Sequence, residues 1–178
     1  DSFAVLYMTD GGVNEDFPHV ANTLEKLIFE NKIKPMILVG IENTQRMRDL
    51  TGPTNVESDK KRTADVGGSS NFRKFIKEEL FSEIDKQYRT TNEKTIIGES
   101  ASGLFVMETF LLEPDMFDNY IAFDPSLWWN DHELVKKSNE LLDKFPTTPK
   151  RLWFAGSQAK DINPHTKALE KILSAKDM

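Results

Sequence analysis

The chain has 178 residues, a formal net charge of −6 and no cysteine. This length suits a single domain with one hydrophobic core, which we take as residues 1–178. The lack of cysteine excludes a disulfide framework, thiolate catalysis and a cysteine-based zinc site. The excess of Asp and Glu (29) over Lys and Arg (23) argues against a nucleic-acid-binding protein, and no apolar run is long enough to predict a membrane span.

Five short apolar runs predict β-strands. They lack alternating polar residues, which is typical of strands buried on both faces. They cover residues 3–8, 36–41, 95–98, 120–123 and 152–155. Helical patterns lie between them, so the sequence predicts an α/β fold. Its sheet is open and mostly parallel, with helices on both faces in a three-layer arrangement.

Residues 42–70 form a long polar segment that interrupts this alternation. One interpretation is an exposed loop whose charges are solvated. The alternative is a functional loop that overhangs the carboxyl ends of the strands, where ligands bind in such folds. Under the alternative, Arg48 is the first residue to test as a substrate-binding side chain.

Residues 95–105 carry the most informative pattern, in which Ser100 lies between a predicted strand and a predicted amphipathic helix. A nucleophile elbow needs a serine on such a turn, with small residues two positions before and after it. Gly98 and Ser102 occupy these positions, although the strict pattern has a second glycine where Ser102 stands. The alternative interpretation is that Ser100 only caps the helix. Asn130 is predicted to cap a later helix in the same way.

Four segments together resemble one family of α/β-hydrolases, which includes enterochelin-esterase-like and ferulate-esterase-like serine esterases. They read LYMTDG at residues 6–11, FPHV at 17–20, VGIENTQRMRDLT at 39–51 and FDPSLWW at 123–129. The segments occur in the expected order. The chain is therefore identified as a member of this family.

The resemblance implies a serine esterase that needs no metal or organic cofactor. It makes Ser100 the catalytic nucleophile and the Ala101 N–H one oxyanion donor, with a second donor at Gly11 or Gly12. It also implies that Trp128 and Trp129 line the substrate pocket, against the alternative of one buried and one surface-capping tryptophan. Glu99 and Ser102 depart from the usual family segment. The charge of Glu99 either disfavours an oxyanion or is turned away from it.

An acyl-transfer serine also needs a base and an acid that orients this base. Asp161 follows the last predicted strand and is the best-placed acid. His19 and His132 precede it, and His165 lies on the first turn of a helix, so all three histidines are interpreted as structural or exposed. The catalytic histidine is then expected outside these residues.

This inventory predicts an internal segment of a longer esterase that lacks the first strands and the last strand of the full fold. Its expected partner is a small-molecule ester. The alternative function is a catalytically silent α/β-hydrolase scaffold that binds a ligand or partner. The sequence does not indicate the natural ester, the oligomeric state or the cellular compartment.

Overall fold

A computed structural model of the protein describes residues 1–63 and 65–176. One residue of the segment 42–70 and the last two residues of the predicted domain therefore lie outside the described residues. All five predicted strands are confirmed, and they form one parallel sheet in the order β2-β1-β3-β4-β5. The strands are β1 Phe3–Thr9, β2 Met36–Ile41, β3 Thr90–Glu99, β4 Asn119–Phe123 and β5 Arg151–Ala155.

Helices connect the strands, as an all-parallel sheet requires. A π-helical turn, Ile76–Leu80, joins α4 to α5. The α-helices are α1 Phe17–Phe29, α2 Arg46–Leu50, α3 Glu57–Lys60, α4 Ser69–Phe75, α5 Phe81–Gln87, α6 Ala101–Leu112, α7 Trp129–Leu142 and α8 Asn163–Ala175. None of the helices in the described part of the chain is both long and apolar enough to cross a membrane.

The predicted burial of all strands on both faces is wrong for one half of the sheet. Helix α1 lies beside β1 and β2 on one face of the sheet, and a groove runs between α1 and the same face of β3, β4 and β5. Phe123 and Trp153 lie on this part of the sheet, which we call the open face, and are 40% and 51% exposed. The sequence pattern predicted burial because both side chains are apolar. In the structure, however, α1 does not extend far enough across the sheet to cover them.

The prediction that the helix after Ser100 is amphipathic is also wrong. Residues 101–111 of α6 are all buried, because α6 packs on β3 and β4 and is covered on its outer side by α2 and α7. A helix enclosed by protein on every side has no polar face. This burial holds the N-terminus of α6 firmly against the sheet.

The interpretation of residues 42–70 as a solvated loop is wrong in part. The segment contains α2 and α3, and it places Leu50 and Thr51 fully inside the protein. At its far end Ser69 donates a hydrogen bond to the buried Glu108 of α6, over 3.0 Å. The segment is therefore anchored to the helix that follows Ser100.

Candidate active site

Ser100 stands at the sharp turn between β3 and α6. Its φ of 59° and ψ of −119° lie in a region that residues other than glycine rarely adopt. The backbone is held there by two bonds, because the Ser100 N–H donates to Phe123 O and the Ser126 N–H donates to Ser100 O, each over 3.0 Å. Such strain persists only where the surroundings impose it, and it is the geometry that a nucleophile elbow requires.

Gly98 and Ser102 make this turn possible by close packing. A Cβ atom on Gly98 would lie 2.7 Å from the backbone C and O of Ser102, which no side chain tolerates. Ser102 is fully buried, and its hydroxyl is hydrogen-bonded to that of Thr9 at the end of β1. The departure at Ser102 therefore leaves the turn intact and ties it to the neighbouring strand. We call residues 98–102 the elbow.

The turn after β4 packs directly on the elbow. Asp124 has a φ of 42°, and a Cβ on Gly103 would lie 2.7 Å from Phe123 O and 3.1 Å from the Cα of Pro125. This packing brings the Ser126 hydroxyl to 3.4 Å from the hydroxyl of Ser100. Ser126 is 4% exposed, whereas Ser100 is exposed to solvent.

The predicted oxyanion donors lie on two neighbouring parts of the fold. Ala101 is the first residue of α6, so its N–H has no partner within the helix, and the helix dipole favours negative charge at this end. Residues 10–12, which we call the oxyanion loop, follow β1, and β1 pairs with β3. The Gly11 N–H donates to Ile41 O over 3.0 Å, and the Gly12 N–H donates to a carboxylate oxygen of Glu15 over 2.7 Å.

Four polar side chains hold the oxyanion loop, and we call them the charged cluster: Asp10, Glu15, Asn43 and Arg46. Arg46 makes two hydrogen bonds of 2.7 Å to the carboxylate of Asp10. This pairing raises the pKa of the guanidinium. The Asn43 amide donates to both carboxylates, so it bridges them. Gly12 can serve as an oxyanion donor only if its N–H breaks the hydrogen bond to Glu15 and donates to the substrate oxygen instead.

The two adjacent tryptophans have different surroundings. Trp129 is 5% exposed, and its indole N–H donates to Gly52 O over 2.8 Å. Trp128 is half-buried, and the guanidinium of Arg62 lies 4.3 Å from the centre of its ring. Of the two, Trp128 is the one that offers a ring surface for a ligand.

A left-handed turn follows the tryptophans at the start of α7. Asn130, Asp131 and His132 have φ values of 49°, 53° and 49°. The predicted capping role of Asn130 is wrong, because its side-chain oxygen accepts a hydrogen bond of 2.9 Å from the Asn55 N–H. The Asn130 N–H in turn donates to the buried Asp59. These contacts fasten the segment 42–70 to the turn that carries Trp128.

Two further charged candidates are directed elsewhere. The Arg48 guanidinium donates two hydrogen bonds, of 2.7 and 3.0 Å, to the carboxylate of its neighbour Asp49. Glu99 lines a groove with Ile97 on the α1 face of the sheet, whereas Ser102 is buried on the α6 side. The side chain of Glu99 therefore faces the α1 side of the sheet, away from α6.

The acid–base candidates make no hydrogen bond to Ser100 in the described part of the chain. Asp161 is exposed in the turn before α8. The rings of His132 and His165 stack on each other with centroids 5.0 Å apart. Burial, and then the neighbouring His132, lower the pKa of His165. His19 is exposed on α1, and no hydrogen bond joins a histidine to Ser100 among the described residues.

In the described part of the chain, neither a metal site nor the groove on the open face of the sheet coincides with Ser100. Within residues 1–63 and 65–176, no group of three or more His, Asp or Glu side chains is arranged to hold a metal ion. A groove of about 790 Å³ runs along the open face beside α1 and reaches Glu99, but Ser100 and Trp128 do not line it. Ser100 instead lies on the surface, at the carboxyl edge of the sheet.

Comparison with known proteins agrees with this fold. The family model described as "Putative esterase" matches residues 1–168. The chain belongs to this esterase family. It is 35% identical over 121 residues to the ferri-bacillibactin esterase BesA of Bacillus subtilis. This alignment covers 61% of this chain and 42% of BesA. The structure matches that of an IroE-like serine hydrolase from Shewanella oneidensis with a TM-score of 0.86 and 26% identity.

The matched relatives are longer than the aligned region. The alignment covers less than half of BesA and 26% of a siderophore enterobactin esterase of Emericella nidulans, which is 32% identical over 79 residues. In the structural match, 98% of this chain corresponds to 60% of the Shewanella chain. The chain thus spans a part of the length of each of these relatives.

Proposed function

We propose that this chain is the nucleophile-bearing part of a serine hydrolase that cleaves carboxylic esters. The observation that carries the proposal is the strained backbone of Ser100 at the end of β3, on a residue that is exposed to solvent. A helix cap does not need this conformation, whereas a nucleophile elbow does. Membership of an esterase family supports the same activity.

In the proposed reaction, the Ser100 hydroxyl oxygen attacks the ester carbonyl carbon and passes its proton to a base. The Ala101 N–H donates to the oxyanion that forms, and the positive end of α6 stabilises its charge. The base then gives this proton to the alcohol oxygen as the alcohol leaves, and water hydrolyses the acyl-enzyme. The second oxyanion donor is assigned to Gly12 in the oxyanion loop, whose N–H would leave the Glu15 side chain for the oxyanion, because the Gly11 N–H already donates to the backbone oxygen of Ile41.

We place the base on a histidine outside these 178 residues, because His132 and His165 contact each other and His19 lies exposed on α1. Asp161 remains the proposed acid, since it lies beyond the carboxyl end of β5. The segment is accordingly proposed to be internal to a longer chain.

We assign the substrate to the siderophore esters, which the names of the relatives indicate. Trp128 with Arg62 over its ring forms an aromatic, positively charged surface beside the elbow. Such a surface suits a planar ligand that carries a negative charge, because its ring packs against Trp128 and its charge pairs with Arg62.

The test uses the protein at its natural length. A mass-tagged fluorophosphonate should modify Ser100, as located by peptide mass spectrometry, and Ser100→Ala should abolish both labelling and hydrolysis of p-nitrophenyl butyrate. Ser157→Ala is the matched control, because this exposed serine lies past β5. Ester hydrolysis by Ser100→Ala at the wild-type rate would contradict the proposal. A wild-type protein that binds the ester without cleaving it would instead favour the silent scaffold.

A further inference from the structure

We propose that Ser126 is a positioning residue whose hydroxyl donates a hydrogen bond to the Ser100 oxygen as negative charge develops there. This inference rests on the proposed function of Ser100. It concerns a residue outside the predicted triad and oxyanion hole, on the turn after β4.

The structure fixes Ser126 against the nucleophile through its backbone. Its N–H donates to Ser100 O over 3.0 Å, so the two residues cannot move apart without breaking the strained turn. Ser126 is 4% exposed, and its side-chain oxygen makes one hydrogen-bond contact among the described residues, that with the Ser100 hydroxyl. A buried hydroxyl with one neighbour has one direction in which to donate.

The length of this contact indicates when it acts. At 3.4 Å it is longer than the usual hydroxyl pair, which lies near 2.7–2.8 Å, and it contributes little while both oxygens are neutral. A hydrogen bond to an ionised oxygen is shorter and stronger. The contact therefore strengthens when Ser100 gives up its proton, and it stabilises the transition state more than the bound substrate.

Two steps place charge on the Ser100 oxygen. In acylation, its proton passes to the base while the oxygen bonds to the acyl carbon, and the base gives that proton to the alcohol oxygen as the bond from this oxygen to the carbon breaks. In deacylation, the base takes a proton from a water molecule whose oxygen bonds to the acyl carbon. The bond from carbon to the Ser100 oxygen then breaks, its electron pair returns to the serine oxygen, and the base passes the proton taken from water to Ser100. Ser126 keeps its own proton throughout and lowers the energy of both steps.

The decisive measurement compares variants in ester hydrolysis by the natural-length protein. Ser126→Ala should lower kcat about 10- to 100-fold and leave KM within about twofold, because a hydrogen bond made only in the transition state is lost. Ser126→Thr keeps the hydroxyl and should restore kcat to within about threefold of wild type. Ser157→Ala again serves as the control, with unchanged kcat and KM.

Folding is checked by the thermal unfolding midpoint of each variant. If Ser126→Ala does not fold, Ser126→Cys replaces it, because a thiol has similar size but is a weak donor; it should lose kcat to a similar extent. An alanine or cysteine variant with the wild-type kcat would overturn the proposal, and so would a folded threonine variant as slow as alanine.

Labelling separates this inference from the proposed function. If the fluorophosphonate fails to modify Ser100 in the wild type, Ser100 is not a nucleophile and the role of Ser126 falls with it. If Ser100 is labelled equally fast in wild type and Ser126→Ala, and kcat is also equal, only the role of Ser126 is refuted.

Discussion

The elbow and the charged cluster lie on neighbouring strands, yet they are held in place by different forces. Backbone hydrogen bonds and contacts of small buried residues hold the elbow. The charged cluster holds the oxyanion loop through side-chain contacts of Asp10, Arg46, Asn43 and Glu15, which are partly open to solvent. The proposed nucleophile, Ser100, is thus positioned by packing, whereas the loop to which we assign the second oxyanion donor is positioned by charge. These two kinds of support should respond differently to mutation, salt and pH.

The largest effect on the reactivity of Ser100 is expected from Gly98→Val, which disrupts the packing of the elbow. Its Cβ would overlap the backbone of Ser102, so the turn must open and Ser100 must move. We expect phosphonylation by the fluorophosphonate to slow by about 100-fold, with a loss of about 3 kcal/mol in the free energy of unfolding.

The double variant Gly98→Val with Ser102→Gly distinguishes backbone from side-chain crowding. It removes the Ser102 hydroxyl but leaves its backbone in the same place, so labelling should stay slow. Recovery of the wild-type rate in the double variant would show that packing against the Ser102 backbone does not shape the elbow.

A smaller effect is expected from Arg46→Ala in the charged cluster. The Asp10 side chain is only 12% exposed, and losing both guanidinium bonds leaves its carboxylate poorly solvated. We expect about a 10-fold lower kcat because the oxyanion loop loses its position. Arg46→Lys should restore only part of the lost kcat, since an ammonium group cannot make both hydrogen bonds to the Asp10 carboxylate. Lys74→Ala, which removes an exposed ion pair elsewhere on the surface, is the control. Full activity of Arg46→Ala would show that the Arg46–Asp10 ion pair does not hold the oxyanion loop in place.

Salt should separate the two regions without mutation. Raising NaCl from about 50 to about 500 mM shortens the screening length and weakens the partly exposed ion pair of Arg46. We expect kcat to fall about twofold in the wild type and to stay constant in Arg46→Ala. The thermal unfolding midpoint of each protein at both salt concentrations checks for a general effect, and an equal response of the two proteins would remove the proposed contrast.

The smallest effect is expected from the histidine pair of α7 and α8, which belongs to neither region. Because the pKa of His165 is lowered on folding, the unfolded chain binds its proton first as the pH falls. Stability is therefore complete above the ordinary histidine pKa of about 6.5 and decreases as the pH falls through the lower value of the folded protein. His165→Gln should make the unfolding midpoint less sensitive between about pH 7 and pH 5, and an unchanged sensitivity would contradict this assignment.

The sequence alone was sufficient for the order of strands and helices. Unbroken apolar runs predicted all five strands, because these strands carry apolar side chains on both faces, on the open part of the sheet as well as on the covered part. Ser100 between Gly98 and Ser102 stood out for a similar reason, since a tight turn between strand and helix demands small residues. These are local requirements, which neighbouring residues in the chain meet by themselves.

Ser126 shows what sequence reasoning missed. It lies within the segment that resembles the esterase family, but nothing in its spacing from Ser100 marks it as a neighbour of that residue. The two hydroxyls meet because β3 and β4 are adjacent in the sheet and the turn after β4 folds back over Gly103. The only possible signal was that two serine-bearing turns follow adjacent parallel strands.

The chain by itself determined the alternation of elements and the position of the strained serine, because both depend on short-range sterics and hydrophobic patterning. The tertiary structure alone decided which side chains surround this serine. In the folded protein, parts of the segment 42–70 are buried and the Glu99 side chain faces away from α6. The Gly12 N–H donates to Glu15, and the rings of His132 and His165 stack on each other. Each outcome depends on contacts between residues distant in sequence, which compete for the same partner and are settled only when the sheet assembles.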